Sequence, residues 1–326
     1  MSLKNLVKIF MHPVKVFFNK KRNMNLLRAL STLPMDNTGL TLIDIGAAGD
    51  IEPRWKRIEP FLSYVGFEPD ERSRSLLISK SNSCLNYQIL PYAVWDSVGL
   101  IEINLCRSPG ASSHYIPNQP FLDLFPDPRR FDVLETLKLK STTLDNLDLT
   151  SADFIKLDIQ GGELNALKGG RNLLETTLGI EIEVEFTAMY KKQPLFGEIC
   201  TFFNNLEFEF IDFVNLCRWE RPSHNSYGQC VFGDALFLRS PEYMIKKNLN
   251  KDSLSKYFSI CLLYNRFDLI DKTISLLPDN LAKTYADFLT RAEPFRRTNK
   301  VVRFLNNLGR SVLTLFGVEY RTHLLY

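Results

Sequence analysis

The sequence predicts an α/β protein with a doubly wound, mostly parallel sheet and a helical extension at each end of the chain. Short apolar segments alternate with helical patterns from residue 41 onward, which is typical of a sheet covered by helices on both faces. A glycine turn follows the first apolar segment, as in folds that bind ligands at the ends of parallel strands. The 326 residues therefore divide into an N-terminal extension at 1–38, a ligand-binding domain at 39–240 and a C-terminal extension at 241–326.

The N-terminal extension has the pattern of a basic amphipathic helix. Apolar side chains recur at helical spacing, at Leu3, Leu6, Phe10, Val14 and Phe17. Pro13 lacks the N–H that a helix needs, so a kink or a break is expected there. Two interpretations stay open: the helix packs on the domain, or it binds a partner or an anionic membrane surface.

Strands are predicted in the middle range where apolar residues cluster between turn residues. They cover Thr41–Ile45, Ser63–Phe67, Leu85–Leu90, Asp153–Leu157, Gly179–Phe186, Glu207–Phe213 and Cys230–Leu238. Val98–Leu105 is predicted to add an antiparallel strand. Helices are predicted at Asp70–Ser79, Gly162–Leu174 and Leu195–Asn205. The proline-rich range 108–129 is interpreted as a long loop that acts as a substrate lid.

The C-terminal extension is predicted to be helical. Leu254–Tyr264 and Asp268–Leu277 form a helix pair, and Asp279 caps a third helix that runs to Leu289. Val301–Leu315 is again amphipathic and basic. Because both ends of the chain are basic, peripheral binding to an anionic membrane surface is expected to compete with simple packing on the domain.

Composition excludes several classes of function. The six cysteines are far apart and form no C-x-x-C pair, so free thiols in a cytoplasmic protein are expected. No apolar run reaches the roughly 18 residues of a membrane span. The middle of the chain is acidic, which argues against nucleic acid as a partner. No pair of acids has a spacing that indicates Mg²⁺, so metal-independent chemistry is predicted.

An acidic glycine turn follows the first predicted strand, in the stretch Asp44-Ile45-Gly46-Ala47-Ala48-Gly49-Asp50. Glu68 ends the second strand, where an acid can accept both hydroxyls of an adenosine ribose. Dehydrogenases share such an acid, but their G-x-G-x-x-G turn has a glycine where Ala48 stands, and it binds a pyrophosphate. Two acids, Asp44 and Asp50, suit the ammonium and sulfonium cations of S-adenosylmethionine better. We therefore predict this cofactor, with an NAD-dependent oxidoreductase as the alternative.

A second acidic turn follows the strand at 153–157. Asp158 ends the strand, and Glu163 opens the next helix after two glycines. Because the strand is expected beside the first one, both acids are expected near the reacting methyl group. Glu163 can also serve only to complement a helix N-terminus.

These stretches resemble the FkbM family of methyltransferases. The matching segments are DIGAAGD (44–50), GFEPD (66–70), SSHYIPN (112–118), TLD (143–145), DFIKLDIQGGELNALKGG (153–170) and IEIEVEF (180–186). The resemblance covers about 39–240 and implies a Rossmann-like methyltransferase fold and S-adenosylmethionine-dependent O-methylation of a sugar, glycan or similar polyol. Two residues depart from the family: Ala48 stands where many members have Asn, and His114 where an apolar residue is commoner.

The predicted cofactor site comprises Asp44, Gly46, Ala47, Ala48, Gly49, Glu68, Pro69, Tyr92, Ala93, Asp158 and Gln160. Methyl transfer is an in-line displacement, and a weakly nucleophilic hydroxyl benefits from a general base. The candidate bases are Asp158, Glu163, Glu185 and His114. Asp158 can instead hold the methionyl ammonium, and His114 can simply hydrogen-bond within the lid.

Three acids, Glu181, Glu183 and Glu185, alternate with apolar residues. Residues two apart share one face of a strand, and that many acids on one face predict solvent or a cleft. A non-catalytic methyltransferase-like module that only binds partners is a further alternative.

Overall fold

The computed structural model describes residues 20–297, apart from residues 48, 81, 148, 150 and 223–227 and the side chain of Arg72. Among these residues, contacts define two compact units, one of 38–240 and one that combines 20–37 with 241–297. The apolar stripe at Leu3–Phe17 and the helix predicted at Val301–Leu315 lie outside the described residues. Membrane-surface binding through the basic ends therefore stays a prediction. No described helix is long and apolar enough to cross a membrane.

The part of the chain that the structure describes contains ten strands. They are β1 (Leu40–Ile45), β2 (Leu62–Phe67), β3 (Asn86–Leu90), β4 (Ala93–Val94), β5 (Gly99–Cys106), β6 (Val133–Thr142), β7 (Phe154–Leu157), β8 (Gly179–Glu185), β9 (Phe208–Trp219) and β10 (Gln229–Arg239). The main sheet has the order β3-β2-β1-β7-β8-β10-β9. From β3 to β8 neighbouring strands are parallel, and β10 pairs antiparallel with β8 and β9. The predicted mostly parallel α/β fold is confirmed.

The central strands are buried because helices cover the sheet. All seven residues of β8 are buried, and so are five of the six residues of β1. Apolar residues of β1, β7 and β8 pack in one core with helices at 163–176 and 196–204. This burial explains why the predicted strands were nearly continuous apolar runs.

A second, smaller sheet contains the predicted antiparallel strand. The strand predicted at Val98–Leu105 is β5, and it is antiparallel to β6, but both belong to a separate sheet of order β4-β6-β5. β6 was not predicted. Its first four residues are exposed on both faces, so burial does not impose the one-sided apolar pattern by which a strand is recognised.

The helices of the described residues are α1 (20–30), α2 (Pro53–Lys56), α3 (Glu71–Ile78), α4 (Gln119–Leu122), α5 (Glu163–Lys168), α6 (Arg171–Thr176), α7 (Phe196–Asn204), α8 (Pro241–Lys246), α9 (Lys251–Leu263), α10 (Phe267–Leu276), α11 (Asp279–Ala282) and α12 (286–297). Two predicted helices are wrong in extent. The helix at Gly162–Leu174 breaks at Gly169-Gly170, since a Cβ on Gly169 would lie 2.2 Å from the Trp95 carbonyl oxygen. The helix predicted to run from Asp279 to Leu289 is interrupted by a 3-10 turn at Lys283–Tyr285.

The predicted loop at 108–129 is less irregular than expected. It contains a 3-10 turn at Pro109–Ala111 and the short helix α4. Ala111 and Leu122 are buried in an apolar cluster with Met189, Tyr190 and Val231. The cluster joins this loop to the segment that follows β8.

Candidate active site

The site lies at the edge of the main sheet where the parallel strands end. Four acids mark this edge: Asp44 near the end of β1, Glu68 after β2, Asp158 after β7 and Glu185 at the end of β8. β1 lies between β2 and β7, so the two halves of the chain meet there. Folds of this type bind ligands where the strand order reverses in this way.

The first glycine turn brings the end of β1 against the end of β7. Gly46 adopts φ of +87°, and a Cβ at this position would lie 2.0 Å from the Asp158 carbonyl oxygen. The N–H groups of Gly46 and Ala47 donate to the carbonyl oxygen of Phe67, at 3.3 and 3.1 Å. These two amides therefore hold β1 to β2. Ala48, another predicted cofactor residue, lies outside the described residues, and Gly49 has φ of +106°.

Asp44 is buried within the sheet. The Tyr64 hydroxyl donates to its Oδ2 atom at 2.8 Å, and the Lys156 ammonium lies 3.9 Å from its Oδ1 atom. Burial raises the pKa of Asp44, while Lys156 and Tyr64 counteract that rise. Oδ1 is buried without a hydrogen bond, which fits the predicted contact with a cofactor ammonium.

Asp50, the other acid of the turn, is oriented differently from the prediction. Its exposed carboxylate pairs with Lys56 at 2.5 Å, and it also accepts the N–H of Ile51. The prediction that two acids of this turn together face the cofactor's cations is therefore corrected. Asp50 is neutralised locally, and only Asp44 is buried at the strand end.

Glu68 occupies the position predicted for a ribose-binding acid. It follows β2, is 8% exposed, and accepts the N–H of Asp70 at 2.8 Å, which fixes the carboxylate at the strand end. Burial raises its pKa. Pro69 follows it, and Tyr92 and Ala93 follow the adjacent strand β3, where both are half-buried. Because Glu68 is buried, its carboxylate has lost most of its hydrogen bonds to water. The hydroxyls of a ribose would replace those hydrogen bonds.

Three candidate bases form one group. Glu163 is 2% exposed and accepts the N–H of Ile159 at 2.7 Å. Burial raises its pKa to about 7, and the charge of Asp158 adds to the effect. Glu185 is also 2% exposed. Burial and the charge of Glu163 hold the pKa of Glu185 well above its usual value.

Gln160 links Asp158 to Glu183 of β8 through hydrogen bonds. Its Nε2 atom donates to Asp158 Oδ1 at 3.0 Å and to Glu183 Oε2 at 2.7 Å. The residue adopts φ of +59°, which a long side chain rarely does without other contacts to hold it. The Ser113 hydroxyl donates to its carbonyl oxygen at 2.6 Å.

The acids of β8 do not face solvent as a group. Glu181, Glu183 and Glu185 are all buried, at 5, 6 and 2% exposure. Arg54 of α2 donates to Glu181 at 2.7 Å within the interior. Of the two predicted environments, solvent or a cleft, the solvent-facing one is wrong, since Arg54 of α2 pairs with Glu181 in the interior, whereas Glu185 lines a pocket.

The predicted lid contacts the carboxylate group. The Tyr115 hydroxyl donates to Asn165 Oδ1 at 2.9 Å, and burial and the charge of Glu163 raise its pKa. The Tyr190 hydroxyl donates to the Ala111 carbonyl oxygen at 2.9 Å. His114 points elsewhere: the centroid of its ring lies 4.7 Å from that of Trp95 with the planes tilted by 54°, and its Nδ1 lies 3.0 Å from the Glu102 carbonyl oxygen. A role for His114 as base stays a prediction.

An open pocket of about 720 Å³ adjoins Glu185. Its lining residues are Glu185, Phe186, Leu195, Phe196, Gly197, Glu198 and Thr201. Phe186 and Phe196 meet edge to face at 5.7 Å. The pocket therefore combines an apolar wall with a buried carboxylate at the end of β8. Within the described residues, no group of three or more His, Cys, Asp or Glu side chains is arranged to hold a metal ion.

Sequence reasoning missed a role for Lys156, a charged residue near this edge. Lys156 lies opposite Asp44 in the register. Burial alone would lower its pKa, but Asp44, Asp158 and Glu181 raise it on balance. A lysine inside the apolar stretch Phe154–Leu157 was the available signal, since lysine is rarely buried unless it is paired.

Comparison with known proteins finds one matching domain family. Residues 57–210 match the family described as "Methyltransferase FkbM domain". No curated protein matches the chain.

Three solved structures show low similarity. They are a methyltransferase FkbM from Methylobacillus flagellatus KT (14% identity, 60% of this chain and 44% of that chain, TM-score 0.34), the magnesium protoporphyrin IX methyltransferase ChlM from Synechocystis PCC 6803 with bound SAM (10%, 63% and 72%, 0.32) and a TehB-like SAM-dependent methyltransferase from Corynebacterium glutamicum (10%, 73% and 100%, 0.31). The chain spans less than half the length of the first of these. The fold assignment therefore rests on the strand order and register of the main sheet.

The family match favours a methyltransferase over the NAD-dependent alternative. S-adenosylmethionine is the cofactor of this family, and the buried acids Asp44 and Glu68 fit its ammonium and its ribose. Over residues 57–210, the chain is similar to the FkbM methyltransferase family.

Proposed function

We propose that this protein is an O-methyltransferase that acts on a hydroxyl of a sugar, glycan or similar polyol. The observation that carries the proposal is the group formed by Asp158, Glu163 and Glu185 at the ends of β7 and β8. A sugar hydroxyl holds its proton at neutral pH, so its transfer chemistry benefits from a general base. A base is most effective when its pKa lies near the working pH, and that of Glu163 is about 7.

The residues of the site divide into two tasks. Asp44 and Glu68 are placed to hold the two ends of the cofactor, which supplies an electrophilic methyl group when it is bound. Glu163 and Glu185 are placed to accept the hydroxyl proton as the acceptor oxygen attacks. Both are almost fully buried, and Glu185 also lines the open pocket. Alignment of the acceptor oxygen is the other large contribution to such a displacement.

The pocket beside Glu185 supports a sugar-like acceptor. Sugar rings present apolar C–H faces and hydroxyl edges, and the pocket offers Phe186 and Phe196 together with a carboxylate. We also propose a cytoplasmic location, because all six cysteines are free thiols, as is usual in a reducing compartment.

The proposal is tested first by cofactor binding and then by transfer. S-adenosylmethionine at about a hundred times its dissociation constant should stabilise the protein by about 2.7 kcal/mol, and NAD should not stabilise it. Labelled S-adenosylmethionine added with the protein to a cell extract should then label a glycan or polyol fraction. Label in protein or nucleic acid instead would contradict the proposal.

Variants separate the roles of the acids. Glu163→Gln should lower kcat and leave cofactor binding nearly unchanged, whereas Asp158→Asn should raise the cofactor dissociation constant if Asp158 holds the methionyl ammonium. If both variants keep wild-type turnover, neither residue is the base, and Glu185 becomes the first candidate and His114 the second.

A further inference from the structure

The side-chain amide of Gln160 uses both of its protons within the protein. Its Nε2 atom donates one to Asp158 Oδ1 at 3.0 Å and the other to Glu183 Oε2 at 2.7 Å. Its Oε1 atom lies 3.3 Å from the Tyr190 hydroxyl. Two carboxylates on one side and a hydroxyl on the other determine which end of the amide is the donor. Gln160 is therefore arranged to hold other side chains of the site.

The backbone of Gln160 is held by the predicted lid. Ser113 is 1% exposed, and its hydroxyl donates to the Gln160 carbonyl oxygen at 2.6 Å. Ser113 is itself anchored to β5, because its N–H and its carbonyl oxygen both pair with the backbone of Asn104, at 3.2 and 2.8 Å. The φ of +59° at Gln160 is rare for a residue with a Cβ and persists only where the surroundings hold it. The lid therefore helps to fix the turn between β7 and α5.

Asp158 is the acid of this turn that lies against the first glycine turn. Its N–H donates to the Ile45 carbonyl oxygen at 3.0 Å, and a Cβ on Gly46 would collide with its own carbonyl oxygen. Its charge also raises the pKa of Asp44, the acid that suits the cofactor ammonium. Asp158 therefore lies at the end of the site where the methionyl part of the cofactor is expected.

The bond from Gln160 determines which way the Asp158 carboxylate faces. Asp158 is only half-buried, so packing alone does not fix its side chain. Its charge raises the pKa of Glu183, which shows that the two acids act on each other unfavourably. The Gln160 amide lies between them and donates to both, and a donor to a carboxylate forms a strong hydrogen bond. Asp158 Oδ1 is thereby held, and Oδ2 takes no part in the bridge.

We infer that Gln160 is a positioning residue that holds Asp158 toward the methionyl end of the cofactor, and that Ser113 of the lid acts on cofactor binding through Gln160. The inference rests on the proposed function, because it assigns roles at the cofactor site of that enzyme. The lid, which is predicted to cover the substrate, becomes a determinant of cofactor affinity as well.

The test is calorimetry of the full chain with S-adenosylhomocysteine. Gln160→Met removes both donors at similar size and should raise the dissociation constant by about tenfold, as expected when a charge-assisted hydrogen bond is lost. Ser113→Ala, which removes a more distant contact, should raise it by about threefold. Two matched controls should bind as the wild type does. They are Gln88→Met, at an exposed position of β3, and Ser112→Ala, whose hydroxyl accepts the N–H of Cys106 instead.

A double-mutant cycle separates positioning from a general loss of structure. In an Asp158→Ala background there is no carboxylate to position, so Gln160→Met and Ser113→Ala should not weaken binding further. A purely structural role would cost the same factor in both backgrounds.

Gln160→Glu adds a pH profile to the test. The introduced carboxyl faces Asp158 and Glu183, and repulsion from both raises its pKa. With a proton it donates again to one of them. The affinity lost at pH 8 should therefore be partly regained at pH 6, relative to the wild type at the same pH.

Each result decides one part of the inference. Wild-type affinity in Asp158→Ala or in Gln160→Met would overturn the positioning role, and so would equal losses from Gln160→Met in the two backgrounds or a Gln160→Glu defect that is independent of pH. Wild-type affinity in Ser113→Ala would overturn the role of the lid. A wild-type protein that does not bind S-adenosylhomocysteine would instead refute the proposed function.

Discussion

Asp44 and Lys156 lie opposite each other on neighbouring strands, and the charge of each partly compensates for the burial of the other. An unpaired charge in the interior of a sheet is strongly unfavourable. Lys156 Nζ lies 3.9 Å from Asp44 Oδ1, too far for a direct hydrogen bond, and its charge counteracts the rise that burial causes in the pKa of Asp44. The carboxylate therefore retains an oxygen that can accept a hydrogen bond from a ligand.

Glu68 should dominate cofactor affinity. A hydrogen bond to a charged group contributes about 1.5–3 kcal/mol, so Glu68→Ala should weaken S-adenosylmethionine binding by about one to three orders of magnitude, measured by calorimetry. Glu71→Ala, an exposed acid at the start of α3, is the matched control and should bind normally. An unchanged dissociation constant in Glu68→Ala would show that Glu68 does not bind the ribose.

Part of the site can be read from the sequence because strand ends are local features. Asp44, Glu68 and Asp158 each follow an apolar run, and parallel strands bring their carboxyl ends to one edge. The contact between the predicted lid and this edge carries no such signal, because Ser113 and Gln160, which form it, are 47 residues apart in the chain.

At the scale of elements, the β1 turn depends on the absence of a side chain at Gly46. Gly46→Ala should lower the free energy of unfolding by about 2–5 kcal/mol, from a positive φ and a clash with the Asp158 carbonyl. Gly49→Ala shares the positive φ but meets no atom within 4 Å, so it should lower stability by only about 1–2 kcal/mol. Urea unfolding of both variants measures the difference. Equal losses would show that the close contact of β1 and β7 contributes nothing.

The elements that the sequence predicted well are the buried ones. β1, β2 and β7 read as mostly apolar runs because both of their faces are covered. The break between α5 and α6 could not be predicted from periodicity, since the apolar spacing continues across it. The break lies at Gly169-Gly170, where helix propensity is low, and the backbone of Trp95 approaches Gly169 too closely for any side chain.

At the scale of the whole molecule, buried carboxyls make stability depend on pH. Burial raises the pKa of Glu163 and of Asp234 to about 7, above the ordinary values of 4.5 and 3.8. The folded state therefore holds protons that the unfolded chain releases, so stability falls as pH rises from about 4.5 to about 7 and then levels off. The stabilisation that comes from protonated Glu163 and Asp234 is fully present only below their ordinary pKa values of 4.5 and 3.8 and is lost as pH rises to about 7.

Glu163→Gln should flatten this dependence. The variant has no charge to desolvate at neutral pH, and its amide oxygen can still accept the N–H of Ile159. Urea unfolding at pH 5 and pH 8 should show a difference smaller than that of the wild type by about 1–3 kcal/mol. Glu209→Gln, at an exposed position of β9, should keep the wild-type dependence. A variant slope equal to the wild-type slope would mean that Glu163 ionises freely in the folded protein.

The pairing of β1 with β7 also determines when the site at the ends of the parallel strands forms during folding. Leu42 pairs with Phe154, so the chain must close a loop of roughly a hundred residues before these strands meet, and long loops slow the search for native contacts. β1, β2 and β3 are neighbours along the chain and can associate earlier. A nascent chain that ends before residue 154 holds Asp44 and Glu68 but lacks all three carboxylate candidates for the base, Asp158, Glu163 and Glu185. The first three strands can therefore associate before the rest of the site exists, and the complete site waits for the most distant contact in the sheet.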